Sequence, residues 1–177
     1  MIVPIVLFGI QFTLSLVAYA LLARWYVAPR LSRLPVEVAL VPLLWVHAFR
    51  IIGGSILAPG AVGPGVPTAF REMVGYGDIA TAVLALLALI ALLVHIPRAL
   101  AVVWLCVTVG MFDTINAVIQ SIRYNVFTHA IGVNWVIVTM YVPALLVTSY
   151  LIVMRLLGPS RSAKEESETT SRHEVTG

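Results

Sequence analysis

Five apolar runs, each about as long as a membrane is thick, constrain this chain more than any other feature. A helix that crosses ~30 Å of hydrocarbon needs ~20 mostly apolar residues, because each residue advances the helix by ~1.5 Å. The hydrophobic fraction of 60% exceeds the ~45–50% of soluble domains. We therefore expect an all-α integral membrane protein, a bundle of five transmembrane helices within residues 1–158. The runs predict helices over about 2–24, 36–57, 78–96, 99–122 and 134–157.

The composition excludes several classes of protein. A soluble domain of this size could not cover so much apolar surface, and the charged fraction is only 11%. A disulfide framework is excluded because Cys106 is the single cysteine. The chain has no HExxH or CxxC spacing that would indicate a metal site. We expect no cofactor, no metal and no nucleic-acid partner. The lipid bilayer is the expected partner, and the sequence also allows a homo-oligomer.

The basic residues predict the orientation of the bundle, because Lys and Arg accumulate in cytoplasmic loops. Only Arg71 and Arg123 fall on the side that we assign to the outside. The N-terminus is therefore predicted outside and the C-terminus in the cytoplasm. The chain is similar in general appearance to small bacterial inner-membrane proteins, which implies a multi-pass protein of that membrane. The residues assigned to the cytoplasmic side are Arg24, Arg30, Arg33, Arg98, Arg155, Arg161, Lys164 and Arg172.

The two ends of the chain differ in character. The first apolar run has no Lys or Arg before it and is longer than an ordinary signal-peptide core, so we expect it to remain as a helix. Residues 159–177 are rich in Ser, Thr and Glu. They have too few apolar side chains to bury a core, so we predict a disordered, polar cytoplasmic tail.

Two charged residues lie inside predicted spans, where an unpartnered charge is costly. Arg50 comes thirteen residues after Glu37, or ~20 Å along a helix from the cytoplasmic boundary. Asp113 comes fifteen residues after Arg98, or ~22 Å from the same boundary. Since the two heights agree, we predict an Arg50–Asp113 ion pair between the second and fourth helices.

Other polar side chains are predicted at about the same height. They suggest an outward-facing pocket that binds or passes a small anionic or amphipathic ligand, with the charged pair at its centre. His47 could carry a proton there, because its ordinary pKa lies near neutrality. The candidate ligand-binding residues are Arg50, Asp113, His47, Asn116, Gln120, Gln11 and Tyr141.

Two other functions compete with this hypothesis. The polar residues could serve only as hydrogen-bonding contacts between helices, in a structural or accessory subunit. An intramembrane enzyme could use His47 and Asp113 as acid and base, although the chain has no catalytic motif and a non-enzymatic role is favoured.

One short motif suggests a further class of membrane protein, an ion channel. The segment Val74-Gly75-Tyr76-Gly77-Asp78 resembles the selectivity filter of potassium channels, which implies a pore whose backbone carbonyls contact the ion. Met73 stands where that family has a threonine, and Asp78 runs directly into the third predicted span. The sequence therefore favours a glycine-containing turn at the end of an external loop, with Asp78 as the N-cap of the third helix.

Overall fold

The computed structural model describes residues 2–158, and every regular element in that range is a helix. The disorder predicted for residues 159–177 lies outside the described residues. Each of the five long helices is long and apolar enough to cross a membrane. They are α1 (Pro4–Leu31), α2 (Val36–Leu57), α3 (Thr68–Leu93), α4 (Ala99–Arg123) and α5 (Asn134–Leu157).

Helix α3 begins at Thr68, ten residues before its predicted start. Pro67 precedes it with extended backbone, and its carbonyl accepts hydrogen bonds from the N–H groups of Phe70 and Arg71. The predicted external turn and the predicted N-cap role of Asp78 are therefore wrong. Gly75 and Gly77, which suggested a turn, are helical residues at positions where α3 packs closely against its neighbours. A β-carbon at Gly75, for example, would lie 2.5 Å from Leu57 Cγ. The turn prediction took the glycines as chain breaks, whereas here they permit close packing.

Two π-helical segments interrupt the regular winding of α1 and α5. Ala23–Val27 precedes Pro29, and Ile137–Tyr141 precedes Pro143. Proline has no N–H to donate, and its ring displaces the carbonyl of the preceding turn. The wider π turn accommodates this displacement in each helix.

Helix α2 changes its winding at the depth of the charged residues. It is α-helical over Val36–Ala48 and 3-10 helical over Phe49–Leu57. The 3-10 part includes Gly53 and Gly54, both of which lie against α3. This tighter part carries Arg50, which is 4% exposed.

The helices pack unequally. Helix α3 lies between α2 and α4, and the small residues Ala82, Ala85, Ala88 and Ala91 on its buried face allow close approach. Helix α1 packs mainly against α5 and the short 3-10 turn Val126–Thr128. None of the most hydrophobic 18-residue stretch of α1 is buried, against 28–44% in the other four helices. Helix α1 is therefore peripheral.

The two ends of the bundle have different connections. At the hairpin end, α3 turns into α4 through residues 94–98, where His95 and Arg98 adopt left-handed backbone conformations. At the loop end, residues 58–67 contact residues 124–133, and the Gly63 N–H donates to the Ala130 carbonyl at 2.6 Å. A large apolar core fills the hairpin half, and a smaller one around Phe70 lies at the loop end. Arg50 lies between these two cores.

Candidate functional site

A buried ionic cluster joins α2, α3 and α4. The Arg50 Nη2 donates to Asp113 Oδ2 at 2.5 Å, so the predicted ion pair is confirmed. The Arg50 Nε donates to Asp78 Oδ1. The remaining nitrogen, Nη1, donates to the Gly110 carbonyl at 3.0 Å. All three guanidinium nitrogens therefore have acceptors inside the protein.

Asp78 is the member of the cluster that sequence reasoning missed. The sequence predicts Asp78 as a helix cap at the surface, but it lies inside α3 with a side chain only 13% exposed. The spacing of residues around the α3–α4 turn could have predicted the position of Asp78. Asp78 lies sixteen residues before Val94 and Asp113 fifteen after Arg98, on either side of the α3–α4 turn. In an antiparallel hairpin, nearly equal separations from the turn place two residues at the same height.

Three glycines make room for this cluster. A β-carbon at Gly53 would overlap the Asp78 carboxylate, and one at Gly77 would overlap the Asp113 carboxylate. A β-carbon at Gly110 would lie 3.4 Å from Arg50 Nη1 and 2.9 Å from Thr81 Cγ2. The helices thus approach closely because each one has a glycine facing the charged groups.

The charges in the cluster do not balance. One guanidinium faces two carboxylates, so the formal charge is −1 when both carboxylates are ionised. The Asp113 side chain is 14% exposed, and Asp78 is similarly enclosed. An anion that approached Arg50 would therefore meet a negative environment whose arginine is already occupied.

The other candidate residues are dispersed over separate contacts. The His47 Nε2 lies 3.2 Å from Thr148 Oγ1, and His47 Nδ1 has no hydrogen-bond partner within residues 2–158. The Tyr141 hydroxyl donates to the Val46 carbonyl. The predicted acid–base contact between His47 and Asp113 is thus replaced by contacts with other groups, because His47 faces α5 and Asp113 faces Arg50.

Two polar residues of α4 also lie apart from the ion pair. The Asn116 Nδ2 donates to the Met73 sulfur at 3.1 Å. The buried Gln120 Oε1 has no hydrogen-bond partner within the described residues. Their spacing along α4 predicts a position near Asp113, but within residues 2–158 neither side chain is hydrogen-bonded to Arg50.

Gln11 belongs to a contact at the edge of the bundle. Its Oε1 accepts a hydrogen bond from the Trp135 Nε1 at 2.6 Å; Gln11 is exposed and Trp135 is half-buried. The sequence predicts Gln11 beside Arg50, but α1 lies against α5, so Gln11 contacts Trp135 instead. Counting residues along a helix predicts height, but it does not predict the side of the bundle on which a residue lies.

We expect the Gln11→Leu substitution to loosen α1 from α5. Removing one interhelical hydrogen bond in a membrane protein costs about 0.6–1.7 kcal/mol. The free energy of unfolding in detergent would measure the change. Thr13→Leu is the control, since Thr13 is exposed on the same helix. Equal effects of the two substitutions would contradict the assigned contact.

A cavity of about 230 Å³ extends from the ionic cluster toward the loop end. Arg50 and Asp78 lie at its deep end, and Asn134, the first residue of α5, lies near the loops. The walls are mostly apolar, with Phe8 and Phe12 supplied by α1. From Asn134 to Val142 the lining of α5 extends for ~12 Å at helical rise. The other lining residues include Ile56, Phe70, Val74, Thr114, Ala117, Val118, Ser121, Phe127 and Ile131.

Asn134 has unused hydrogen-bonding capacity at this cavity. It is 5% exposed, and its Oδ1 accepts a hydrogen bond of 3.4 Å from Ser55 Oγ. Its Nδ2 has no partner within residues 2–158. Buried polar groups normally have partners, so a cavity with an unsatisfied donor is suited to a molecule that supplies an acceptor.

The potassium-channel-like segment and the single cysteine both lie in long helices of the described residues. Val74–Asp78 lies inside α3, where the backbone is helical and not extended as in a potassium-channel filter. Over residues 2–158, no group of three or more His, Cys, Asp or Glu is placed to hold a metal ion. Cys106 is a buried residue of the core in the hairpin half.

The family model of a domain of unknown function, DUF8737, matches residues 7–157. The chain belongs to this family. The matched DUF8737 region includes the ionic cluster and all residues named above as lining the cavity. No curated protein and no solved structure matches the chain.

Proposed function

We propose that this DUF8737 protein is a multi-pass membrane protein whose cavity binds a small amphipathic ligand from the extracytoplasmic side. The loop end faces outward in this proposal, so the N-terminus is outside and the C-terminus is cytoplasmic. The basic residues support the orientation. Arg24, Arg30, Arg33, Arg98 and Arg155 lie toward the hairpin end, and Arg71 and Arg123 lie toward the loop end.

The observation that carries the proposal is an apolar cavity with polar groups at both ends. Its volume of about 230 Å³ exceeds the ~150 Å³ of an apolar cavity that holds benzene. Asp78 can accept a hydrogen bond at the deep end, and the Asn134 Nδ2 can donate one nearer the loops. An amphipathic molecule with an apolar body would match both the walls and the polar groups.

The charge of the cluster favours a cationic or hydrogen-bond-donating head over an anionic one. The two carboxylates leave the cluster with a formal charge of −1, and each Arg50 nitrogen already has an acceptor. We therefore assign the head of the ligand to Asp78 and not to Arg50. This differs from the anionic ligand that Arg50 alone would suggest.

Water-soluble probes of matched shape test this proposal. We expect benzylammonium to raise the unfolding temperature of the purified protein in detergent more than benzyl alcohol does, and benzoate to have no effect. Asp78→Asn should equalise the effects of benzylammonium and benzyl alcohol, since it removes the negative charge from the deep end of the cavity. Circular dichroism would verify that each variant is folded.

A cavity-filling pair of variants locates the binding. Ala117→Phe should weaken probe binding by about tenfold or more, because the ring occupies the cavity. Ala80→Phe makes the same change at an exposed position of α3 and should leave binding unchanged. If a folded Ala117→Phe protein binds benzylammonium as the wild type does, the cavity is not the site. If no probe binds the wild type, the ionic cluster serves only to hold the helices together.

A further inference from the structure

A second apolar cavity lies in the hairpin half of the bundle, away from the ionic cluster. It has a volume of about 290 Å³ and separates the C-terminal part of α1 from α2 and α5. Its walls are almost entirely apolar and include Ala23, Val27, Leu43, Ala144 and Leu151. We call this cavity the hairpin-end groove.

Local helix irregularities create the groove. Its α1 wall runs from Tyr19 to Val27 and includes part of the π segment, and its α2 wall includes Pro42. Small side chains at Ala23 and Ala144 leave space between α1 and α5. From Tyr19 to Val27 the groove is ~12 Å long, close to the ~15 Å thickness of one leaflet's hydrocarbon. Its length therefore suits an acyl chain of a single leaflet.

Arginines lie just beyond the hairpin-end limit of the groove. Arg155 follows the lining residue Leu151 by one turn, and Arg30 follows the lining residue Val27 by three residues. The Arg155 Nη2 donates to the Leu34 carbonyl at 2.7 Å, whereas the Arg155 Nε has no partner within residues 2–158. The Arg30 Nη1 donates to the Tyr26 carbonyl at 2.8 Å.

The charge around this end is strongly positive. Five arginines lie there in the described part of the chain, with Glu37 as the acidic residue of the same end. A basic surface between helices on the cytoplasmic side is the environment that binds anionic lipid headgroups. The charge and the shape of the groove thus indicate the same class of molecule.

We infer that the hairpin-end groove binds an anionic phospholipid, with one acyl chain between α1 and α5 and the phosphate near Arg155 and Arg30. The inference rests on the proposed membrane insertion and orientation but not on the ligand of the first cavity. The bound lipid would fill the space that separates α1 from the rest of the hairpin half. It would act as a structural component of this half of the bundle.

Native mass spectrometry of the full chain tests this inference. Lipid is added to the detergent-solubilised protein, and the spectra show how much lipid stays bound after the detergent is removed. Phosphatidylglycerol and phosphatidylcholine with identical acyl chains serve as probes. We expect the wild type to retain phosphatidylglycerol about tenfold better than phosphatidylcholine. Equal retention of the two lipids would overturn the inference.

Two matched pairs of variants separate the acyl contact from the headgroup contact. Ala144→Phe should remove retention of both lipids, while Ala20→Phe, at an exposed position of α1, should not. Arg155→Gln should reduce the preference for phosphatidylglycerol, while Arg123→Gln, at an exposed position of the loop end, should leave it unchanged. Val147→Phe, which also fills the groove, replaces Ala144→Phe if that variant does not fold.

The outcomes distinguish failure of this inference from failure of the membrane proposal. Retention of phosphatidylglycerol by a folded, groove-filled variant would overturn the lipid site alone. Release of the protein from membranes by alkaline carbonate would instead overturn the membrane proposal. Benzylammonium binding at the other cavity is measured separately and does not depend on either lipid result.

Discussion

Arg50→Met is expected to lower the free energy of unfolding by about 3–5 kcal/mol, the cost of removing one partner from a buried ion pair. The substitution keeps a long side chain but leaves Asp78 and Asp113 facing each other without the guanidinium that now contacts both. The Gly110 carbonyl also loses its contact with Arg50 Nη1. Reversible unfolding in mixed detergent micelles, followed by circular dichroism, would measure the loss.

Two further variants test whether the loss of stability comes from the unpaired carboxylates. Arg123→Met removes an exposed arginine and should change stability by no more than about 0.5 kcal/mol. The triple variant Arg50→Met, Asp78→Asn, Asp113→Asn should recover much of the lost stability, since it leaves no uncompensated charge. A single Arg50→Met protein as stable as the wild type would show that the cluster contributes nothing to the folded bundle.

Gly77→Ala and Gly9→Ala are expected to change stability in opposite directions. A β-carbon at Gly77 would overlap the Asp113 carboxylate, which Arg50 holds in place, so about 1–3 kcal/mol should be lost through overpacking. No atom lies within 4 Å of a β-carbon at Gly9. There the same substitution should add about 0.5–1 kcal/mol, the ordinary gain of alanine over glycine in a helix.

The same unfolding assay compares these two proteins directly. Gly53→Ala in α2 provides a second test, because its β-carbon would overlap the Asp78 carboxylate of α3. We expect it to behave as Gly77→Ala does. If all three alanine variants were stabilised alike, the close approach of α2, α3 and α4 around the charges would be incorrect.

The ion pair could be predicted from the sequence because helical rise converts residue number into height. Arg50 and Asp113 matched in height, and a buried charge requires a partner. The same counting also identifies Asp78, but the two glycines beside it suggested a turn. Close packing and chain reversal both favour glycine, so glycine alone does not distinguish them.

The cavity could not be predicted from the sequence, because height does not specify the side of the bundle on which a residue lies. Counting along α1 predicts Gln11 near the height of Arg50, yet Gln11 contacts Trp135 at the edge of the bundle. The aromatic rings of Phe8 and Phe12 enter the cavity from α1, a helix that is apolar almost all around. Such a helix has no distinct polar face to indicate its neighbours.

The peripheral position of α1 has a consequence for biosynthesis. Of the five helices, this one emerges from the ribosome before the other four, but its main contacts are with α5, which emerges after them. Helices α2, α3 and α4 contain every member of the charged cluster, so they can associate while synthesis continues. On insertion into a bilayer, α1 would therefore remain among lipids until α5 arrives, and its docking would close the wall of the first cavity last.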